Sequence, residues 1–175
     1  MHEILLPEAK PALEWINNRV VQKVTPVRKH ALAQGEFMAA LSMWSRQHKN
    51  GMAGTEWHFQ IQPPGEISRT LVPDVAFLSY DRMPKAEMAE TEIPCVAPDA
   101  VVEVRSPKDA QRDVDEKTRV YLAAGTAVVF LVDPEQKTIT VVDASGRRTL
   151  SGSDTIRHPA LQGFELPART LFELP

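Results

Sequence analysis

The segment PDAVVEVRSP, residues 98–107, is a short run of mostly β-branched residues between two prolines. Runs of this kind are typical of β-strands that are buried on at least one face. Because strand side chains alternate, Glu103 and Arg105 point to one face while Val102 and Val104 point to the other. Isolated charges are costly to bury, so this strand is predicted to need a charged partner, a metal or a functional role.

Length and composition predict one globular domain over residues 1–175, with residues 1–11 as a loose N-terminal arm. The net charge of −3 excludes a general basic field, so any contact with nucleic acid must come from a local patch. The single cysteine, Cys95, allows no disulfide within the chain and fits a cytoplasmic location. No apolar run is long enough for a membrane span, so we expect no membrane segment.

The patterns before this strand predict mixed secondary structure. In order, we expect a β-hairpin over 12–25 turning at Asn17-Asn18, a helix over 27–49, a half-exposed strand over 56–62, a strand over 70–78 that contains Asp74, and a loop over 79–98 with a short helix near 82–89.

A second helix is predicted over residues 109–124, followed by a buried strand over 127–132 and a hairpin over 137–150. The helical spacing puts Lys117 in the middle of the stripe that faces the sheet. The alternative is that its long side chain reaches past the stripe to solvent.

Asp74 and Glu103 are carboxylates on successive predicted strands, with Arg105 and Lys117 as nearby cations. Hard oxygen ligands of this kind suit Mg²⁺, with Mn²⁺ as a substitute. A divalent ion beside a lysine favours metal-dependent hydrolysis of phosphodiester bonds. The sequence lacks the Cys and His spacings of zinc sites, so we do not expect zinc. It also lacks a glycine-rich phosphate-binding loop, so we expect no nucleotide cofactor. No Gly-x-Ser-x-Gly motif is present.

Four motifs in this order resemble the Uma-two family of restriction endonucleases, a branch of the PD-(D/E)XK nuclease superfamily. They are PDVAF (73–77), PDAVVEVRSP (98–107), the Asp113 to Gly125 segment DxxxKxxxYLAAG, and LVDP (131–134). The resemblance runs from about Leu13 to the C-terminus. It implies an α/β (α+β) fold of the restriction-endonuclease type, in which helices flank a mixed β-sheet that an N-terminal hairpin precedes.

The resemblance also implies roles for individual residues. Asp74 and Glu103 match the two acidic metal ligands, and both are candidate catalytic residues together with Lys117. The usual Glu-x-Lys motif would put lysine at position 105, where this chain has Arg105; in this family the lysine is found on the following helix, which points to Lys117. Arg105 becomes a candidate phosphate contact. His30 and Glu36, on the first long helix, are further candidates for substrate contact.

The leading hypothesis is therefore a Mg²⁺-dependent endonuclease that acts on DNA as a homodimer, in which two sites face two strands. One alternative is a non-catalytic nuclease fold that serves as a binding module of a defence or mobile-element system. In that case the charged residues would form a satisfied buried ion network. Hydrolysis of a small phosphodiester is a third hypothesis.

Overall fold

The computed structural model describes residues 3–174; residues 1 and 2 of the predicted arm, and residue 175, lie outside that range. The described chain contains thirteen strands, three α-helices and a 3₁₀ helix. In chain order they are β1 (Glu3–Ile4), β2 (Leu13–Ile16), β3 (Arg19–Gln22), α1 (Arg28–His48), β4 (Gly51–Thr55), β5 (Phe59–Ile61), β6 (Ser68–Leu71), β7 (Val75–Ser79), α2 (Lys85–Glu90), β8 (Ala100–Val104), α3 (Gln111–Ala123), β9 (Val128–Asp133), β10 (Thr138–Asp143), β11 (Gly146–Ser151), β12 (Thr155–Ile156), β13 (Leu166–Pro167) and the 3₁₀ helix Ala168–Leu171.

A six-stranded mixed sheet forms the centre of the fold, in the order β11-β10-β9-β8-β7-β4. β8 and β9 are parallel, whereas the other neighbouring pairs are antiparallel. Parallel neighbours need a crossover connection, and α3 provides it. The predicted mixed sheet flanked by helices is confirmed.

The two faces of this sheet pack against different helices. Val102 and Val104 of β8 join the core that includes Phe37 of α1. Val101 joins the second core, which includes Tyr121 of α3. The alternation predicted for β8 is therefore present, and it directs Glu103 to the α3 side.

The predicted N-terminal hairpin is formed by β2 and β3, which pair in antiparallel register from Leu13–Gln22 to Ile16–Arg19. Asn17 and Asn18 have φ values of 50° and 58°. Two successive positive φ angles are typical of the tight turn that suits a two-residue hairpin, and Asn tolerates them. The hairpin contacts β6 and α3, so its inner face lies over one end of the α3 side of the fold.

The N-terminal arm is anchored at one point. β1 pairs in parallel with β6, with Glu3 opposite Ser68, in a small sheet of order β1-β6-β5. The residues between β1 and β2 form no regular element. The expectation of a loose arm is therefore wrong at Glu3 and Ile4, because an unpaired edge of β6 accepts them.

The single strand predicted over residues 70–78 is wrong. The chain forms β6 and then β7, which belong to different sheets. Pro73 lies at the break, and because proline has no backbone N–H it cannot continue the pairing of a central strand. Asp74 consequently stands at the entrance of β7.

The strand predicted over 56–62 is present only as the shorter β5, and its three residues are buried, so the expected half-exposed character is wrong. Glu56 has a φ of 51° and separates β4 from β5. Gln60 was expected on a solvent face but is buried. Its amide oxygen accepts a hydrogen bond from the Thr70 hydroxyl, and its amide nitrogen donates one to the Ile4 carbonyl. Hydrogen bonds to neighbouring strands therefore compensate the burial of this polar side chain.

Helix predictions agree with the structure apart from their ends: α1 and α3 each begin and end within one or two residues of the predicted bounds, and α2 lies near its predicted place.

Across the described range 3–174, no helix has both the length and the apolar composition needed to cross a bilayer.

Candidate active site

The register of β7 and β8 brings the two predicted acidic ligands together. Val75 pairs with Val102 in antiparallel register, which places Asp74 next to Glu103 across the strands. The backbone N–H of Val104 donates to Oδ2 of Asp74 at 2.7 Å. The break before β7 and the alternation of β8 thus direct both carboxylates to one location.

Asp74 is 2% exposed and surrounded by donors. The Lys23 ammonium lies 2.6 Å from Oδ1, and Nε2 of His30 lies 3.3 Å from Oδ2. Burial by itself raises the pKa of Asp74, but the Lys23 charge and the His30 contact more than offset this, so the pKa is lowered. Asp74 is therefore an ionised carboxylate at neutral pH.

Lys23 itself sits among oxygen atoms. Besides Asp74, its Nζ donates to the Val72 carbonyl at 2.8 Å and lies 3.3 Å from Glu56 Oε1. Burial lowers the pKa of Lys23, yet the surrounding carboxylates raise it by more, so the net shift is upward. The hairpin thus places a permanent cation against Asp74.

Lys117 is buried, as its predicted inward position on α3 requires, and its ammonium lies between two carboxylates. Its Nζ lies 2.7 Å from Glu103 Oε1 and 2.9 Å from Glu14 Oε1. Burial lowers the pKa of Lys117, but Glu103 and Glu14 raise it by more, so the net shift is upward. A lysine in this state is a charge-stabilising group and a poor proton acceptor.

The pKa of Glu103 is raised, whereas that of the other carboxylate, Asp74, is lowered. Burial raises the pKa of Glu103 to about 7, with the neighbouring Asp74 carboxylate adding to the effect and Lys117 opposing it. The Tyr121 hydroxyl donates to Oε1 at 3.1 Å, the same oxygen that Lys117 approaches. Both contacts fall on Oε1, so Oε2 is the oxygen available for another ligand.

These groups line one cavity of about 330 Å³ beneath the hairpin. Five of the six predicted site residues line it: His30, Asp74, Glu103, Arg105 and Lys117. Glu36 is not among the described residues that line the cavity, so the structure does not support its predicted contact with substrate. It lies six positions after His30 in α1, about 9 Å along the axis, and off the buried stripe.

Sequence reasoning missed two residues of this site, Glu14 and Lys23. Glu14 accepts a hydrogen bond from the Val72 N–H at 2.8 Å in addition to holding Lys117. The sequence did contain a signal for Glu14. It lies two residues before Ile16, so both side chains point to the inner face of the hairpin. The same alternation applies to Lys23, which lies two residues after Val21, the residue that pairs with Glu14 in the hairpin.

The donor set matches a hard divalent cation in its chemistry, because Asp74 and Glu103 offer carboxylate oxygens in one cavity. Among residues 3–174, no group of three His, Cys, Asp or Glu side chains is arranged as a ligand shell. Mg²⁺ commonly takes one or two carboxylates and completes its shell with water, so two are sufficient. An ion bound at Asp74 would have to share or replace the contact with Lys23.

Comparisons with known proteins agree with this architecture. A crystal structure described as a putative nuclease belonging to DUF820, from Anabaena variabilis, superposes with a TM-score of 0.84. The two chains are 26% identical, and the match covers 95% of this chain and 93% of the other. The search of curated proteins gave no significant match.

The family comparison covers nearly the whole chain. The model of the Uma2 family, described as "Putative restriction endonuclease", matches residues 2–169. This range contains the hairpin, the central sheet and every residue of the cavity, in agreement with the resemblance that the four motifs indicated. The chain belongs to the Uma2 family.

Proposed function

We propose that the protein is a metal-dependent endonuclease that hydrolyses phosphodiester bonds in DNA. The observation that carries the proposal is the meeting of Asp74, Glu103 and Lys117 in one cavity, with Lys117 2.7 Å from Glu103. Family membership and the likeness to the Anabaena variabilis protein support nuclease activity as the reaction class.

Asp74 and Glu103 hold Mg²⁺ in this proposal, and Mn²⁺ can replace it. The bound ion supplies a polarised phosphoryl oxygen and a water of lowered pKa. Asp74 is suited to this role because its lowered pKa keeps it ionised. Glu103 is suited to this role because Lys117 and Tyr121 both contact Oε1, which leaves Oε2 to bind the ion.

Lys117 positions the attacking water and stabilises the negative charge that develops on the phosphoryl oxygens. In the reaction, the water oxygen bonds to phosphorus and gives up one proton to solvent, the bond to one sugar oxygen breaks, and that oxygen takes up a proton from solvent. The raised pKa of Lys117 makes it a cation throughout. Glu14 holds this cation in place from the hairpin.

Two further residues approach the substrate in this proposal. His30 lies 3.3 Å from Asp74 and lines the cavity, so it can orient that carboxylate as well as contact DNA. Arg105 also lines the cavity and serves as a phosphate contact. We also propose a homodimer, in which two sites face the two strands of a duplex.

One observation favours a second candidate, a non-catalytic binding module. Lys23 already pairs with Asp74, and Lys117 pairs with both Glu103 and Glu14, so the charged groups form an ion network without any added ion. The test is cleavage of supercoiled plasmid with Mg²⁺ by the wild type, Lys117→Ala and the control Lys85→Ala, an exposed lysine of α2. The endonuclease proposal requires the wild type and Lys85→Ala to cut and Lys117→Ala to lose at least a hundredfold in rate. A wild type that cuts neither plasmid nor linear DNA contradicts it.

A further inference from the structure

The helix α3 covers only part of its face of the central sheet. Beneath it, Val101, Val129 and Val142 occupy one row across β8, β9 and β10, and all three belong to the α3-side core. The next row, towards the N-terminal end of α3, contains polar as well as apolar residues. It runs through Glu103, Leu131, Thr140 and Thr149, where the last two are polar and at least partly exposed.

These threonines lie in an open groove of about 310 Å³, here called the threonine groove. Six of its lining residues matter to the argument: Arg105, Gln111, Thr138, Thr140, Arg147 and Thr149. The face of a sheet that is covered at one end and polar at the other is expected to meet either water or a polar ligand.

The threonine groove adjoins the candidate active site. Arg105 and Val114 line both the groove and the cavity that holds Glu103. Neighbouring strands lie about 4.8 Å apart, so Thr140 and Thr149 are roughly 10 and 14 Å from Glu103 along the row. Nucleotides in a strand rise about 3.4 Å each, so the groove spans the few nucleotides next to a phosphate in the site.

The groove offers donors and very few competing acceptors. Nε of Arg105 is buried and has no hydrogen-bond partner among the described residues, which leaves a donor to be satisfied. Arg147 contacts Asp115 at 3.2 Å, but both side chains are about half exposed, so this ion pair is weak and easily exchanged. Asp133, the one carboxylate among the described lining residues, accepts from the backbone N–H groups of Glu135 and Gln136.

We propose that the threonine groove binds the sugar–phosphate backbone of the DNA strand beside the cleaved bond, with Arg105 and Arg147 as the charged contacts. Hydroxyl and guanidinium donors are the groups that proteins use for backbone phosphates, and such contacts fix register without reading sequence. A local patch of this kind is what a chain of net charge −3 needs to hold a polyanion. This proposal rests on the proposed function, because it assigns part of the DNA substrate of that endonuclease to the threonine groove.

Adjacent arginines on β11 provide a matched test. Arg147 pairs opposite Val142, on the groove face, whereas Arg148 pairs opposite Val141, whose side chain belongs to the other core. Their side chains are 49% and 44% exposed. Arg147→Ala and Arg148→Ala therefore remove the same charge from neighbouring positions on opposite faces.

The measurement is fluorescence anisotropy with a labelled 20-base-pair duplex, in EDTA, between 50 and 200 mM salt. Arg147→Ala is expected to bind roughly tenfold more weakly, with the slope of log K against log salt shallower by about 0.9. Arg148→Ala should stay within about twofold of the wild type. Thr149→Lys should bind more tightly with a steeper slope, a gain that misfolding cannot produce. Equal effects of the two arginine variants, or none from either, overturn the inference.

Failure of this inference is distinguishable from failure of the proposed function. A wild type that cuts DNA while both arginine variants bind normally leaves the endonuclease proposal standing and refutes the groove. A wild type whose binding depends on Arg147 but that never cuts with Mg²⁺ supports the groove and refutes catalysis. A wild type that binds no DNA contradicts both.

Discussion

The ammonium of Lys23 lies 2.6 Å from Oδ1 of Asp74, so the hairpin places a cation of the protein against a carboxylate that we propose as a metal ligand. The two side chains are 11% and 3% exposed. Removing one member of a buried ion pair leaves the other charge uncompensated, which is strongly destabilising.

Lys23→Ala should therefore lower the free energy of unfolding by about 3 kcal/mol in EDTA. Because the variant frees Asp74, added Mn²⁺ should raise its melting temperature by more than it raises that of the wild type. Thermal unfolding with and without Mn²⁺ measures both effects, and Lys29→Ala, which breaks an exposed pair with Glu135, is the control. An equal response to Mn²⁺ in Lys23→Ala and wild type would show that Asp74 is not a ligand.

Glu14 connects the hairpin to Lys117, and Glu14→Gln tests that connection. Glutamine can still accept the Val72 N–H bond but loses the charge that holds the Lys117 ammonium. We expect the DNA cleavage rate at saturating substrate to fall about 10- to 100-fold while KM changes little. Steady-state kinetics on a defined duplex measure this, and a change confined to KM would assign Glu14 to substrate binding instead.

The raised pKa of Glu103 predicts how stability depends on pH. A carboxyl whose pKa is higher in the folded protein stabilises the fold in its protonated form. That contribution is complete below about 4.5, the ordinary value, and is lost as the pH rises through about 7. Glu103→Gln has no such proton to lose.

Relative to Glu103→Gln, the wild type should therefore become progressively less stable between pH 5 and pH 8. Urea unfolding of both proteins in EDTA at four pH values in this range gives the difference directly. A difference that stays constant with pH would mean that Glu103 keeps one protonation state throughout, which contradicts the desolvated site described here.

Gly51 provides a test of the fold that is independent of the site. A Cβ at this position would clash with the Leu78 carbonyl oxygen and would lie 2.6 Å from the Phe77 ring, across the β4–β7 pair. Gly51→Ala should lower the free energy of unfolding by roughly 2 kcal/mol or more. Gly152→Ala, where nothing lies within 4 Å, is the matched control in chemical denaturation. Equal stabilities of the two variants would contradict the pairing of β4 with β7.

The parts of the site that the sequence predicted are those with a local period. Alternation in β8 directed Glu103 away from Val102 and Val104, and helical spacing directed Lys117 inward. Each follows from geometry within a single element. The mixed sheet flanked by helices, in contrast, was expected from the family resemblance and not from these local patterns.

The parts that were missed depend on how elements pack together. Glu14 and Lys23 reach the cavity because the hairpin docks on β6 and α3, which no periodicity within residues 12–25 encodes. The strand β4 has the sequence GMAGT, which has low strand propensity, and it forms because β7 offers an edge. Glu36 was proposed from the family resemblance, and the phase of α1 carries it away from the cavity.

The most direct test of the central claim is Mn²⁺ binding by isothermal titration calorimetry, with wild type, Glu103→Ala and Lys117→Ala in parallel. The account predicts that the wild type binds Mn²⁺, that Glu103→Ala does not, and that Lys117→Ala still does because both carboxylate ligands remain. If the wild type binds no divalent ion even with DNA present, the carboxylates are a satisfied ion network and the proposed metal-dependent endonuclease is contradicted.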